Sequence, residues 1–319
     1  MTDPTIPDHD FIRLFETIGP RELARQCKVS FRAVYKRREN LERKVRRQIT
    51  SPESEAKRST RHNIEHAARL HFDIENGVVL VGSDAHIWPG PMTTAMRAFI
   101  KFAKEMKPKA LILNGDVMDH PQISRHPPIG WEDHPTVEQE IRAAQEQLRQ
   151  IEDAVSPKCK LYWPLGNHDQ RFETRLAVAA PEFARVRGFS LKDHFPNWSC
   201  CWAVWLNNDV VVKHRYKGGI HATHNATMWS GKTIVTGHLH SLKVTPFSDY
   251  SPRPRWGVDT GCLAEPNGPQ FIEYSEDNPK NHRSGFVVLT FKNGVLLWPE
   301  VVHVFGENAV EYRGEVIKV

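Results

Sequence analysis

No apolar run in the chain approaches the ~20 residues a membrane-spanning helix requires, so no membrane partner is expected. The opening MTDPTIPDHD is acidic where a secretory signal would be basic and then apolar, which predicts an unexported, cytoplasmic protein. The five cysteines (Cys27, Cys159, Cys200, Cys201, Cys262) are odd in number and contain no C-x-x-C, excluding a disulfide framework or a thiolate zinc site. Neither G-x-S-x-G nor G-x-G-x-x-G occurs, which removes the serine-hydrolase elbow and the dinucleotide fold. Gly231-Lys232-Thr233 ends like a phosphate loop, but Ala226 stands where that loop needs its first glycine. Internal repeats and long low-complexity tracts are also missing. What remains is a chain of 319 residues, 39% hydrophobic and 25% charged, enough for one large or two modest folded domains.

The charge is unevenly placed. Overall, 43 Lys+Arg against 38 Asp+Glu gives +5. Residues 21–50 alone hold 11 basic and 3 acidic side chains, a +8 block that suggests a polyanionic partner. Phe11, Leu14, Phe15 and Ile18 fall at helical spacing, and Gly19-Pro20 then stops that helix. Pro20 suits the start of a second short helix through Gln26, and Val29-Ser30 gives a turn before a third helix from Phe31 to about Ile49. This pattern resembles a helix-turn-helix, with Ala24, Val29 and Val34 at its small or apolar positions. It departs from that motif at Lys28, where glycine usually permits positive φ. The resemblance implies DNA as partner, with Arg32, Tyr35 and Lys36 facing outward toward bases or phosphates. Leu41, Val45 and Ile49 form a further stripe on the third helix, a candidate contact between copies.

The run TSPESEAKRSTRH at 50–62 is polar and aperiodic, as a linker is. The expected organisation is therefore a helix-turn-helix-like domain at 1–49, a linker at 50–76 and a larger domain at 77–319. Within the last, short β-branched runs alternate with helical patterns: Val78–Val81, Met92–Met106, Ala110–Leu113, Val137–Ile151, Leu161–Leu165. Further strands are expected at 203–206, 210–213, 233–236, 286–291 and 295–304, giving an α/β two-sheet sandwich with helices outside. The last two strands meet at a Lys292-Asn293-Gly294 turn.

Polar residues of one chemical kind follow these strands, where α/β folds gather their ligands. After the first comes Ser83-Asp84-Ala85-His86, after the second Gly115-Asp116-Val117-Met118-Asp119, and after the third Gly166-Asn167-His168-Asp169. The strand 233–236 runs into Gly237-His238-Leu239-His240. Carboxylate, amide and imidazole are the donors that divalent transition metals accept. Crowding them at one rim without a cation would be unfavourable, because unpaired buried polar groups cost several kcal/mol.

In this order, D-x-H, G-D-x-x-D, G-N-H-D and G-H-x-H resemble the calcineurin-like metallophosphoesterase superfamily over about residues 77–262. Arg171, just after G-N-H-D, makes the chain look most like phage and prophage members. The resemblance implies two divalent metals, manganese first, with iron, zinc or nickel as alternatives. Asp84, His86 and His240 would hold one, Asn167 and His238 the other, and Asp116 would bridge them. The seventh ligand is read as His214, which follows a β-branched run, with His221 and His224 as the alternatives. His168 would stabilise the transition state or protonate the leaving oxygen, Asp169 would orient it, and Asp119 would support the ligands from outside. The implied chemistry is phosphodiester hydrolysis by metal-activated hydroxide.

The loop 120–131 adds Arg125 and His126 as candidate phosphate contacts and Trp131 as a candidate stacking residue. A basic reader domain tethered to such a site makes a DNA-directed nuclease the leading expectation. A small-molecule phosphodiesterase or phosphatase with a regulatory basic segment, and a catalytically silent DNA-binding regulator, are the competing readings.

Overall fold

The structure is a computed structural model that describes residues 6–45, 47, 49–52, 66–126, 130–131, 133–275, 278 and 281–319. The chain divides into two compact units, residues 1–65 and 66–319.

In the first unit, α1 (Asp8–Gln26) is bent where Gly19 leaves helical geometry ahead of Pro20. The two short helices read on either side of Gly19-Pro20 are thus the arms of one kinked element, since proline interrupts the helical ladder. The turn that follows places Lys28 at φ 52°, so a lysine adopts the left-handed conformation that the motif usually gives to glycine. Helix α2 (Phe31–Val45) starts with the Ala33 amide donating to Ser30 Oγ at 3.2 Å, and Arg47 and Ile49 are not helical. Phe11, Phe15, Leu23, Ala24, Val34, Leu41 and Ile49 close a small core. Leu41 and Ile49 therefore turn inward and only Val45 of the expected stripe is exposed, because a unit this small has few apolar side chains from which to build a core. Arg32 and Lys36 are exposed. Tyr35 corrects the outward reading: it is half-buried, edge-on to the Phe15 ring at 6.0 Å.

The second unit holds fifteen strands among its described residues. In chain order they are β1 Leu70–Phe72, β2 Gly77–Gly82, β3 Ala110–Leu113, β4 Lys160–Pro164, β5 Ser199–Cys201, β6 Val204–Leu206, β7 Val210–Val212 and β8 Thr233–Thr236. Then come β9 Lys243–Phe247, β10 Arg255–Asp259, β11 Gly285–Lys292, β12 Val295–Leu296, β13 Glu300–Gly306, β14 Ala309–Tyr312 and β15 Glu315–Lys318. The helices are α3 Thr94–Met106, α4 Val137–Ala154, α5 Asp169–Ala179, α6 Leu191–His194, α7 Ala222–Ser230 and α8 Pro269–Ser275.

One sheet runs β15-β14-β13-β11-β2-β3-β4-β5, with β12 paired to β11, and the other runs β1-β6-β7-β8-β10-β9. Strands β2 to β5 are mutually parallel. Successive side chains of β2 serve two cores, which is why its sequence is continuously apolar. Val79 and Val81 pack between the sheets with Val212, Val235 and Val258, whereas Leu80 packs outward with Phe99, Phe102 and Leu148 of α3 and α4. This is the two-sheet sandwich flanked by helices that the sequence predicts. Strand β1 pairs with β6, so the second unit begins before residue 77. Among the described residues no helix is long and apolar enough to cross a membrane.

Candidate metal centre

Parallel pairing of β2 with β3, Leu80 opposite Leu111 and Val81 opposite Ile112, starts the loops after both strands at one edge of the sheet. Those loops are then laced together. The Asp84 amide donates to Gly115 O at 2.9 Å, and the His86 amide donates to Asp116 O at 3.1 Å. Strand β4 delivers Asn167 and His168 to the same edge, and β7 and β8 bring His214, His238 and His240 from the second sheet. Asp84, His86, Asp116, His238 and His240 take φ of 52°, 40°, 49°, 72° and 55°. Holding non-glycine residues there costs of order 1 kcal/mol each and marks positions whose geometry is fixed by their surroundings. Two glycines of the motifs permit close approach. A Cβ on Gly166 would overlap the Asp116 carboxylate, and one on Gly237 would overlap Asp84 and Ser83.

Three groups of donors converge within 4.8 Å: Asp84 with His86 and His240, Asp116 with His214 and His238, and His86 with Asp119 and His168. Asp84 and Asp116 are fully buried. Asp84 accepts from Ser83 Oγ and from the His238 amide at 2.9 Å, and His240 Nε2 lies 3.0 Å from its Oδ1. His214 Nδ1 faces the Asn114 carbonyl at 2.7 Å. A carbonyl can only accept, so that nitrogen carries the proton and Nε2 presents a lone pair. That lone pair lies 3.0 Å from Asp116 Oδ2. Two electron-rich atoms face each other there, which is stable only with a positive charge between or upon them. Burial disfavours the imidazolium, but Asp116 and Asp84 outweigh it and push the His214 pKa up to about 10. The rim is built to stabilise cationic charge.

His86 repeats this logic. Its Nδ1 is 3.0 Å from Asp119 Oδ1, which leaves Nε2 buried with no hydrogen-bond partner among the described residues. Asn167 Oδ1 and His214 Nε2 are likewise buried without one. Native proteins seldom tolerate such orphaned donors and acceptors. Clustered beside two carboxylates, they fit a divalent cation of the kind that accepts oxygen and imidazole donors.

Asp119, which supports His86 as expected, also takes the role at His168 that was expected of Asp169. His168 Nδ1 lies 2.7 Å from Asp119 Oδ1 and 2.9 Å from Asp119 O, so Asp119 fixes the tautomer and turns Nε2 toward the rim. Burial opposes charge on this imidazole, yet Asp116 and Asp119 raise its pKa above the usual value. Asp169 does not orient His168. Its oxygens accept from the amides of Asp116, Val117 and Gly166 at 2.8–2.9 Å and from Trp163 Nε1 at 3.0 Å, which makes it a brace for the Asp116 loop. The motif puts Asp169 next to His168 in sequence, but as the first residue of α5 it points into the fold.

Glu140 of α4 was not singled out by the sequence. It is fully buried and accepts from the amides of Asp119 (3.2 Å) and His120 (2.7 Å), fixing the segment that carries Asp119. A lone glutamate inside a helical pattern offers no signal of this. Arg171 donates to Asp119 O at 2.8 Å and reaches within 3.3 Å of His168 Nε2, placing a guanidinium at the mouth of the rim. Arg125 is exposed and close enough to Arg171 to depress its pKa, although burial is the larger cause. His126 is exposed, with its amide on Ser124 Oγ, and makes no contact with the rim among the described residues. Trp131 projects fully into solvent. Of the three histidines weighed as last ligand, His214 joins the cluster, while His221 and His224 are exposed at the start of α7.

Residues 77–274 match the family described as calcineurin-like phosphoesterase. No curated protein matches the chain. Among solved structures, it is similar to a single mutant of Vps29 from Entamoeba histolytica, with 12% identity over 76% of this chain and 99% of that one, TM-score 0.41. It is also similar to Yfce, a phosphoesterase from E. coli, with 12% identity over 75% of this chain and 96% of that one, TM-score 0.36. A dimetal phosphatase from Danio rerio shows 10% identity over 77% of this chain and 99% of that one, TM-score 0.35.

Proposed function

The chain belongs to the calcineurin-like phosphoesterase family and is a metal-dependent phosphoesterase, and from that premise we propose that it is a dinuclear phosphodiesterase directed at DNA. The observation that carries the two-metal reading is the convergence of His86, His240 and Asp84 and of His214, His238 and Asp116, with His86 Nε2 orphaned and His214 Nε2 set against the Asp116 carboxylate. Asp84, His86 and His240 would hold one cation and Asn167, His214 and His238 the other, with Asp116 serving as a shared ligand and manganese the first candidate. Bound there, the pair supplies an acidified water and withdraws charge from the phosphoryl oxygens.

The chain's own residues do the rest. Asp119 holds the His168 ring by Nδ1, and with Asp116 it favours the doubly protonated imidazolium, which donates its Nε2 proton to the departing oxygen and is left as the neutral Nδ1–H tautomer. Arg171 binds a non-bridging phosphate oxygen beside it, and Arg125 adds charge at the entrance. Asp169 and Glu140 keep the loops of Asp116 and Asp119 from moving, so that no reorganisation accompanies reaction.

The DNA reading is supported by the basic block in residues 21–50 and by Arg32 and Lys36, one turn apart on the exposed face of α2 and in no ion pair among the described residues. The first unit acts as a helix-turn-helix-like reader, and the whole is of the phage and prophage type. Its five free thiols suit the reducing cytoplasm. The test is a screen of the purified protein with Mn²⁺ against linear and circular DNA, RNA, cyclic nucleotides and a chromogenic diester, with Asp116→Ala as control. Salt-sensitive cleavage of DNA is expected. Turnover of small esters with every nucleic acid left intact would overturn the DNA reading.

A further inference from the structure

The stretch from Val210 to Ser248 contains five Lys and Arg and not one Asp or Glu, in a chain whose net charge beyond residue 70 is close to zero. It includes Lys213 and Arg215, which flank His214 in sequence, and it continues into an exposed loop and α7. Tyr216 is 41% and Trp229 68% exposed. Cations stand over both rings. Lys213 Nζ and Lys217 Nζ lie 5.3 and 5.5 Å from the Tyr216 centroid, and Lys217 Nζ lies 4.8 Å from that of Trp229. The charge of Arg215 acts on His238, one of the rim imidazoles, so the strip borders the metal centre.

Interleaved cations and solvent-exposed aromatic rings are the two components of a single-strand binding surface, in which the charges follow the backbone and the rings stack on bases. In a duplex those base faces are covered by their neighbours, so a protruding indole gains little from double-stranded DNA. A second copy of the same face would set cation against cation. We propose that the strip formed by Lys213, Arg215, Tyr216, Lys217 and Trp229 binds an unpaired DNA strand and leads its phosphates to the metal centre. The proposal rests on the DNA reading of that centre and gives it a strand preference.

The test uses the full-length protein and an iodouracil-substituted, phosphorothioate-linked single strand, which crosslinks to aromatic side chains on irradiation and resists cleavage. Adducts are expected on the peptides carrying Tyr216 and Trp229. The Tyr216→Ala, Trp229→Ala double variant should bind the single strand about ten-fold more weakly, with duplex affinity and thermal midpoint unchanged. Adducts confined to other faces, or unchanged single-strand affinity in that variant, would overturn the proposal. So would a solution dimer that Trp229→Ala dissociates, because the strip would then belong to a second copy. Failure of the DNA reading looks different: adducts form on the strip, yet no DNA is cut under any metal.

Discussion

The two units use charge in opposite ways. In the first, ions lie at the surface and satisfy one another: Asp8 takes both Arg37 and Lys44, and Glu16 takes Arg47. What is left over for a partner is a matter of number and exposure, chiefly Arg32 and Lys36. In the second, Asp84, Asp116, Asp119 and Asp169 are buried within one rim, where Asp84 and Asp169 accept several specific hydrogen bonds and Asp116 and Asp119 face the rim imidazoles. Removing one group there disturbs several others. Surface pairs are worth little because water and salt screen them, whereas a buried carboxylate keeps its full field.

That contrast can be broken by measurement, beginning where the effect should be largest. Asp116→Ala removes the carboxylate shared by both proposed cations, so hydrolysis should fall to the level of metal-free protein and metal content by mass spectrometry should drop with it. Full metal content in that variant would show that the rim does not converge on Asp116. His168→Ala should lower kcat by about 10²–10⁴-fold while leaving bound metal unchanged, if it acts as the proposed proton donor and not as a ligand. Loss of metal as well would make His168 a ligand. Asp169→Ala strips the acceptor from three amides and an indole, and denaturant titration should show a loss of about 3 kcal/mol. A small change would mean that the Asp116 loop holds itself. The smallest effect belongs to the first unit, where Arg32→Gln with Lys36→Gln should leave folding intact. Binding to duplex DNA should weaken, with the salt-dependence slope reduced by about 2. An unchanged slope would remove α2 from the DNA interface.

The same contrast governs how much the sequence reveals. Strands β2, β3, β8 and β11 are legible as β-branched runs because both their faces are buried. β9 and β10 are not. Pro246 speaks against a strand, yet β9 lies at a sheet edge, where a missing amide does no harm. β10 does alternate Trp256 and Val258 with Arg255, Gly257 and Asp259, but two apolar residues set among a glycine and two charges are too short a pattern to read. The β14–β15 hairpin turns on Arg313-Gly314 rather than on an Asn-Gly pair, with both residues at positive φ. In the first unit, the helices follow from apolar spacing, but the inward turn of Leu41, Ile49 and Tyr35 depends on which faces the bent α1 covers.

The sequence by itself determined which residue types stand at the strand ends, and with them the donor set for a pair of divalent cations. Motif spacing carries that much because each donor follows a buried strand by two to four residues, a purely local relation. Only the tertiary structure decided that Asp119 rather than Asp169 orients His168, that Glu140 fixes Asp119, and that His214 rather than His221 or His224 joins the rim. These assignments join atoms from different strands and helices, and a hydrogen bond's direction is set by where its partner's backbone lies in space, which no local pattern encodes.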